Sequence, residues 1–411
     1  MKKVFKYLQD QALEASQQKY SGSSYLSPTT KEPQQQVRHH GPSYYKDQHN
    51  SHHQSRSEYP SSAAHSFPAH TAMGTSPPQT SGQRDMSRPQ TPDKVLRGIT
   101  RHQYAQDNIL QSYELYIPEL DHKHQADAKG HKYWVIFIHG GYFRDPSVTS
   151  SSFYPALGIL APESNHHHIF KNNGHGSRLS DITPYISAYA SLNYRLSPHP
   201  GKAPQDPHTT PAYELRNAEW PEHIHDVLAA IAHLQSKYGF GERYLLVGHS
   251  VGATMGLLSA LAAQKAPFST TCHLDMPTIE PPMAILGVSG IYDFPLIHES
   301  VPDYVELTRN AIHNEADFAL ASPAKYTAKD YVDIWTAGGE KKRALVIAHS
   351  RDDGWVDWKQ VEAMENALKS QSAVDVRVSE MKGQHNEIWE KGTELARVVV
   401  EAVGVMRGLE A

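Results

Sequence analysis

The sequence Gly-His-Ser-Val-Gly at residues 248–252 constrains the fold of this chain more than any other stretch. An apolar run at 243–247 precedes it, and a run typical of a helix follows at 253–264. A strand, a tight turn and a helix with a serine at the apex form a nucleophile elbow. Such a turn strains the serine backbone, and its two flanking glycines avoid clashes between side chains. The pattern predicts that Ser250 presents its hydroxyl beside the start of a helix, although a serine in a glycine-rich turn is the alternative.

Apolar runs of strand length recur along the chain and alternate with stretches of helical periodicity. The predicted strands are 112–117, 133–138, 187–193, 243–247, 283–288, 344–348 and 374–378, and the predicted helices are 221–238, 253–264, 359–369 and 388–403. This alternation indicates an α/β fold with a mostly parallel sheet and helices on both faces. We expect residues 294–343 to be irregular except for a helix near 304–310, and we interpret them as an insertion near the site, such as a lid.

The first 95 residues differ in composition from the rest of the 411-residue chain. Ser, Gln, His, Pro and Gly dominate there, whereas Leu, Ile, Val and Phe are scarce. A segment of this kind cannot bury enough apolar surface to offset the entropy lost on ordering. We therefore expect a disordered extension at 1–95, followed by a folded domain at 96–411.

Composition also limits the partners and the compartment. A net charge of −5 gives no indication of nucleic-acid binding. The single cysteine, Cys272, excludes an intrachain disulfide and fits a reducing compartment. No apolar run reaches the roughly 20 residues of a membrane span, and no apolar signal-peptide core follows the basic N-terminus. We expect a cytoplasmic enzyme without a membrane partner; its oligomeric state is open, a homodimer being one option.

A serine hydroxyl needs a base, and the base needs an orienting carboxylate. In folds with this elbow the acid and then the histidine follow the serine, on loops after strands. The loop after 344–348 offers Asp352 and Asp353, and the loop after 374–378 offers His385. The frequent pattern His-Gly-x-x-Asp-x-x-Val matches 349–356 with Ser replacing Gly, which favours Asp353 and leaves Asp352 as the alternative.

The tetrahedral intermediate requires donors for its oxyanion. The N–H of Val251, the residue after the nucleophile, supplies one donor in such elbows. The loop after strand 133–138 supplies the others, and Gly140 and Gly141 there allow the backbone to come close. We expect His139 to brace this loop by hydrogen bonding and Arg195 to form a structural ion pair.

Histidine clusters raise the question of a metal. The sequence His166-His-His168, with His175, lies in a Ser/Asn/Gly-rich stretch without carboxylates or cysteines at ligand spacing. His223 and His225 are two apart on a predicted helix, so their side chains diverge. We therefore predict no metal site.

Several motifs of this chain match those of one enzyme family. They are His139-Gly-Gly-Tyr-Phe143 followed by Asp145-Pro146, Gly248-His-Ser-Val-Gly-Ala-Thr254, His349-Ser-Arg-Asp-Asp353 and His385-Asn386. Together with Tyr194-Arg195-Leu196, they make residues 100–411 resemble the α/β-hydrolase fold, and in particular the fungal kynurenine formamidases. The first motif departs from the family, because Phe143 stands where the family has Trp.

The resemblance implies a small-molecule substrate, N-formyl-L-kynurenine, hydrolysed to L-kynurenine and formate without a cofactor. This reaction belongs to tryptophan degradation and feeds NAD biosynthesis. The resemblance carries the catalytic triad onto Ser250, Asp353 and His385, so that it favours Asp353 independently. Aromatic side chains for the aryl ring are expected among Tyr142, Phe143, Tyr292, Trp355 and Trp389. Two alternatives stay open at this stage: a general carboxylesterase of the hormone-sensitive-lipase-like type and a catalytically inactive scaffold.

Deletion of residues 1–95 tests the predicted domain organisation. We expect the shortened protein to keep kcat/KM within about twofold of the full chain, because the extension lacks the apolar residues that a core needs. Enzyme assays of both forms at equal concentration measure the effect. Collapse of activity or solubility on deletion would show that the segment belongs to the folded domain.

Overall fold

The computed structural model describes residues 93–119, 132–161, 182–262 and 268–410. The extension predicted at 1–95 therefore lies almost entirely outside the described residues. The histidines at 166–168 and 175 lie outside them as well. Within the described part of the chain, no helix is long and apolar enough to cross a lipid bilayer.

A single twisted sheet organises the fold. Its strands are β1 (Thr100–Gln103), β2 (Ser112–Tyr116), β3 (Tyr133–Ile138), β4 (Ile186–Leu192), β5 (Tyr244–His249), β6 (Ala284–Val288), β7 (Arg343–Ser350) and β8 (Val374–Met381). Their order is β1-β2-β4-β3-β5-β6-β7-β8. The β1–β2 and β2–β4 pairs are antiparallel, and every later pair is parallel. The prediction of a mostly parallel sheet is confirmed.

Helices cover both faces of the sheet. They are α1 (Asp93–Gly98), α2 (Tyr154–Leu160), α3 (Glu222–Tyr238), α4 (Val251–Leu261), α5 (Phe294–Ser300), α6 (Tyr304–Ala311), α7 (Asp317–Leu320), α8 (Ala328–Trp335), α9 (Lys359–Leu368), α10 (Glu387–Lys391) and α11 (Thr393–Glu410). Short 3-10 turns occur at Ser150–Phe153, Thr183–Tyr185, Ala212–Glu214 and Pro323–Lys325.

Two hydrophobic cores result from this layering. On one face the apolar sides of α3, α4 and α9 pack on the sheet, with Ile231, Leu257 and Val361 fully buried. On the other face α2 and α11 cover the sheet. The central strands β3, β5 and β6 are buried along their whole length, which explains why their sequences are continuous apolar runs. These strands hold the loops at their carboxyl ends in fixed positions.

The segment 294–343 is helical rather than irregular, so the prediction for it was wrong apart from the helix near 304–310. It forms α5 to α8. Asp293 caps α5 by accepting the N–H of Leu296 at 3.0 Å. Thr327 and Asp330 form a reciprocal capping box at the start of α8. These caps satisfy backbone groups at helix ends, and each helix of this segment has eight residues or fewer, too short for helical periodicity to be recognised in the sequence.

The C-terminal helix predicted at 388–403 is divided into α10 and α11 at Gly392. This residue has a φ of 72°, in the left-handed region that ends a helix. A Cβ at this position would overlap the backbone of Pro155 and Ala156 in α2. The glycine therefore serves two purposes: it turns the chain, and it lets α10 and α11 approach α2 closely.

Substitution of Gly392 by Ala should destabilise the fold more than the same change at Gly239. Gly239 also ends a helix in the left-handed region, with a φ of 66°, but no heavy atom lies within 4 Å of an added Cβ. We expect a loss of about 1 kcal/mol at Gly239 from backbone strain alone. At Gly392 overpacking should add about 1–3 kcal/mol. Urea unfolding measures both values, and equal losses would contradict the proposed contact.

Candidate active site

The turn at Ser250 has the strained geometry that the sequence predicts. Ser250 has φ 56° and ψ −124°, between the end of β5 and the first residue of α4. A Cβ on Gly248 would overlap the backbone of Gly252, and one on Gly252 would overlap the carbonyl oxygen of Ile138 in β3. The N–H of Ser250 donates to the Val288 carbonyl at 2.9 Å. Close backbone packing therefore holds the serine in a conformation that would be unfavourable in isolation.

The structure brings His385 and Asp353 together. The Nδ1 of His385 lies 2.9 Å from Oδ2 of Asp353. The other carboxylate oxygen of Asp353 accepts the N–H groups of Trp355 and Val356, each at 3.0 Å. The side chain of Asp353 is fully buried, whereas Asp352 is exposed. Of the two candidate acids, Asp353 is thus the one that contacts the histidine.

The electrostatic environment keeps Asp353 ionised. Burial alone would raise its pKa, but the charge and hydrogen bond of His385, together with the N–H of Val356, lower the pKa well below its ordinary value. A buried carboxylate with hydrogen bonds to both oxygens is a fixed negative charge. It can hold Nδ1 of His385 protonated, which leaves Nε2 to accept a proton.

Two neighbours hold His385 in place. The indole of Trp355 stacks on its ring at 5.3 Å between centroids, with 19° between the planes. His249 contacts the backbone carbonyl of His385 through Nε2 at 3.2 Å. Burial and the charge of His385 lower the pKa of His249 to about 3, so that its ring is neutral and Nε2 carries the donated hydrogen. The histidine of the Gly-His-Ser motif therefore anchors the loop of the candidate base.

The loop after β3 lies directly against Ser250, the candidate nucleophile. A Cβ on Gly140 would lie 2.9 Å from Cβ of Ser250, so only glycine allows this approach. Gly141, Tyr142 and Phe143 all have positive φ, at 89°, 49° and 66°. Val251 is the first residue of α4, and its N–H has no acceptor within that helix. Gly140 and Val251, two of the predicted oxyanion donors, therefore lie beside Ser250.

Hydrogen bonds hold the loop after β3 in place, and His139 makes one of them, as expected. Its Nδ1 contacts the Gly140 carbonyl at 2.9 Å, and burial lowers its pKa to about 4, which leaves the ring neutral. The Tyr194 hydroxyl donates to the same carbonyl at 3.0 Å. Arg195, the next residue, pairs with Asp226 and with Glu222 at 2.8 Å each, which confirms the predicted ion pair. These contacts fix the two loops after β3 and β4.

Ser250 and His385 line one cavity of ≈ 670 Å³. Tyr142, Trp355 and Trp389 line it too. Aromatic side chains therefore border Ser250 and the candidate base in this cavity.

Two predicted pocket residues lie elsewhere, which corrects the sequence-based expectation. Phe143 is fully buried, in contact with Trp220 and Phe294. Tyr292 is also fully buried, and its ring lies against Gly287 and Gly290. Both side chains belong to the core beneath the site because their loops turn them inward. The loss of an indole N–H at position 143 therefore concerns the core rather than the cavity wall.

Other residues that line the cavity were not predicted from the sequence. Arg144, Val148 and His199 come from the loops after β3 and β4, and Tyr304 and Leu307 come from α6. Their positions depend on tertiary packing, although Arg144 follows directly after a predicted oxyanion loop. Within the described ranges, no cluster of three or more His, Cys, Asp or Glu residues could hold a metal ion.

Comparison with known proteins agrees with this architecture. A profile of the Alpha/beta hydrolase family matches residues 135–397. The chain belongs to the α/β-hydrolase family. A kynurenine formamidase-like hydrolase of Fusarium equiseti is 30% identical over 310 residues, which cover 73% of this chain and 91% of the relative. The kynurenine formamidase of Aspergillus versicolor is 30% identical over 63% of this chain and 84% of its own length.

A third relative, the kynurenine formamidase of Meyerozyma guilliermondii, is 27% identical over 66% of this chain and 84% of its own length. The resemblance to the fungal kynurenine formamidases is confirmed, and the protein is a hydrolase. Esterase B of Lactobacillus rhamnosis superposes with a TM-score of 0.51 at 13% identity, covering 78% of this chain and 90% of that structure. At this identity the likeness shows the shared fold alone.

The neighbouring aspartates of this hydrolase provide a matched test of the candidate acid. Asp353→Asn should lower kcat by about 10⁴-fold, because the amide no longer holds the productive tautomer of His385. Asp352→Asn should leave kcat nearly unchanged, since that side chain is exposed. Steady-state kinetics of both variants decide the assignment. The opposite order of effects would move the acid to position 352.

Proposed function

We propose that this hydrolase cleaves N-formyl-L-kynurenine to L-kynurenine and formate, a step of tryptophan degradation that feeds NAD biosynthesis. The main support is a single cavity that joins Ser250 and His385 with an aromatic wall of Tyr142, Trp355 and Trp389. The named activity of the relatives adds to this support. An aryl formamide needs both features, a nucleophile for the formyl carbon and apolar surface for the ring.

In the first half of the proposed reaction, Ser250 attacks the formyl carbon while Nε2 of His385 takes the hydroxyl proton. The formyl oxygen becomes an oxyanion that accepts hydrogen bonds from the amides of Gly140, Gly141 and Val251. Such donors typically contribute about 10²–10³ each to the rate. The carbon–nitrogen bond then breaks, and His385 returns its proton to the leaving arylamine.

In the second half, water attacks the formyl ester on Ser250. His385 accepts a proton from this water, and the same amides stabilise the second oxyanion. Collapse of the intermediate breaks the ester bond, releases formate and restores the serine hydroxyl with the proton held by His385. Asp353 stays ionised throughout and stabilises the imidazolium that forms twice in the cycle.

The segment 294–343 completes the proposed binding site. Its helix α6 contributes Tyr304 and Leu307 to the cavity wall. The hydroxyl of Tyr142 hydrogen-bonds to Thr308 of the same helix at 2.9 Å. We propose that this segment covers the substrate as a lid. We also propose that the protein is cytoplasmic and that residues 96–411 form its folded unit. A homodimer is one option for its assembly.

Kinetic comparison of a formamide with an ester tests the proposed substrate. We expect kcat/KM for N-formyl-L-kynurenine to exceed that for p-nitrophenyl acetate by roughly 10²-fold or more, because a pocket matched to the whole substrate adds binding energy in the transition state. A preference for the ester would instead identify a general carboxylesterase, the alternative that uses the same residues.

Ser250→Ala tests the proposed nucleophile. The change should lower kcat on N-formyl-L-kynurenine by about 10⁶-fold, the usual loss when a triad serine is removed. The thermal midpoint should change little, since the substitution removes one oxygen at the cavity surface. Activity near wild type in the folded variant would place the chemistry elsewhere, and an inactive wild-type protein would support a scaffold role.

A further inference from the structure

Two polar side chains of the cavity have no role in the proposed chemistry. Arg144 and His199 both line the cavity, and their exposed fractions are only 8% and 4%. A kynurenine-type substrate carries a carboxylate several bonds from its formyl group. The cavity therefore contains both a reactive end and a separate polar region.

The hydrogen-bonding pattern of His199 fixes its tautomer. Nδ1 of His199 accepts the N–H groups of Gly201 at 3.1 Å and Lys202 at 2.8 Å. A nitrogen that accepts two hydrogen bonds carries no proton, so the ring hydrogen is on Nε2. Burial and the neighbouring charge of Arg144 lower the pKa of His199 to about 4, which keeps the ring neutral at physiological pH. His199 is therefore a permanent donor through Nε2.

The local charge favours an anion. Asp145 also lines the cavity, but its Oδ2 lies 2.6 Å from Nζ of Lys202. Its other oxygen accepts the N–H of Ser147 at 2.9 Å and the hydroxyl of the same residue at 2.6 Å. Asp145 is thus engaged by Lys202 and Ser147, and Arg144 adds a guanidinium to the wall of the same cavity.

Hydrogen bonds connect this polar region to the loop that carries the proposed oxyanion donors. The N–H of Arg144 donates to the Gly141 carbonyl at 3.0 Å, so one turn carries both a proposed oxyanion donor and the guanidinium. The N–H of Ser197 donates to the Phe143 carbonyl at 2.9 Å and ties the loop of His199 to the same turn. The Lys202–Asp145 ion pair adds a second tie. These contacts fix the distance between the proposed carboxylate site and Ser250. A fixed distance suits a substrate whose formyl and carboxylate groups are a set number of bonds apart.

We propose that Arg144 and His199 bind the carboxylate of the substrate and thereby select aryl formamides that carry a carboxylate over those that lack one. This inference rests on the proposed function and adds the specificity-determining residues to it. Arg144 supplies charge and N–H donors in a planar fork, which suits a carboxylate. His199 adds a neutral donor whose direction is fixed by its backbone contacts.

A pair of substrates that differ only in the carboxylate tests the proposal. N-formyl-L-kynurenine and its decarboxylated analogue, N-formylkynuramine, share the formamide, the ring and the amine. The measured quantity is the ratio of their kcat/KM values. We expect Arg144→Met to lower this ratio by roughly 10- to 100-fold, mainly through KM, because a charge-assisted interaction is lost. Arg144→Lys should recover part of the ratio, and His199→Phe should lower it less than Arg144→Met.

Arg216→Met is the matched control. The guanidinium of Arg216 bonds to the Ala203 carbonyl, and its positive charge also acts on His199, but Arg216 does not line the cavity. This variant should keep the wild-type ratio. An unchanged ratio in Arg144→Met would overturn the proposal while leaving the proposed function intact. Failure of the wild-type protein to hydrolyse either formamide would instead refute the proposed function, and with it the inferred role.

If Arg144→Met does not fold, inhibition experiments on the wild-type protein still test the proposal. L-Kynurenine and kynuramine, which also differ by the carboxylate alone, are compared as inhibitors of p-nitrophenyl acetate hydrolysis. We expect L-kynurenine to inhibit at a concentration lower by about tenfold or more. Equal inhibition by the two amines would show that no carboxylate site exists in the cavity.

Discussion

The packing of the Ser250 turn against strand β3 is the constraint on which the rest of the site depends. Gly252 meets the Ile138 carbonyl so closely that no Cβ fits, and Gly248 meets Gly252 in the same way. This contact holds Ser250 at a positive φ and sets the position of the next amide, that of Val251. It also fixes the elbow relative to the end of β3, from which the Gly140–Gly141 loop begins. The proposed nucleophile and the proposed oxyanion donors are thus positioned by one backbone contact.

Asp353 and His385 are held by buried contacts with neighbouring side chains and backbone rather than by backbone strain. Asp353 has hydrogen-bond partners on both oxygens, and the field of His385 keeps it ionised. His385 is held by Trp355 on its face and by His249 at its backbone. Such second contacts are what keep catalytic groups within the narrow range of productive geometry. They also explain why two neutral buried histidines, His249 and His139, accompany the candidate base without competing with it for the proton.

The sheet and the contact between Asp353 and His385 could be predicted from the sequence, because both depend on local patterns. Continuous apolar runs mark β3, β5 and β6, and glycine spacing marks the elbow. The side-chain directions in loops could not be predicted, since successive left-handed residues send Tyr142 to the cavity and Phe143 to the core. Each helix of 294–343 has eight residues or fewer, which is shorter than the roughly 11–18 residues over which helical periodicity can be recognised. Arg144 and His199 became candidates only when the loops after β3 and β4 were seen to meet.

In the proposed mechanism, Ser250 carries the formyl group during turnover. Mass spectrometry of peptides from enzyme quenched in acid during turnover of N-formyl-L-kynurenine detects this intermediate. We expect the mass of one added formyl group on the peptide that contains Ser250, and none on the same peptide of Ser250→Ala. A formyl group attached to a different residue in the wild-type enzyme would refute the proposed mechanism.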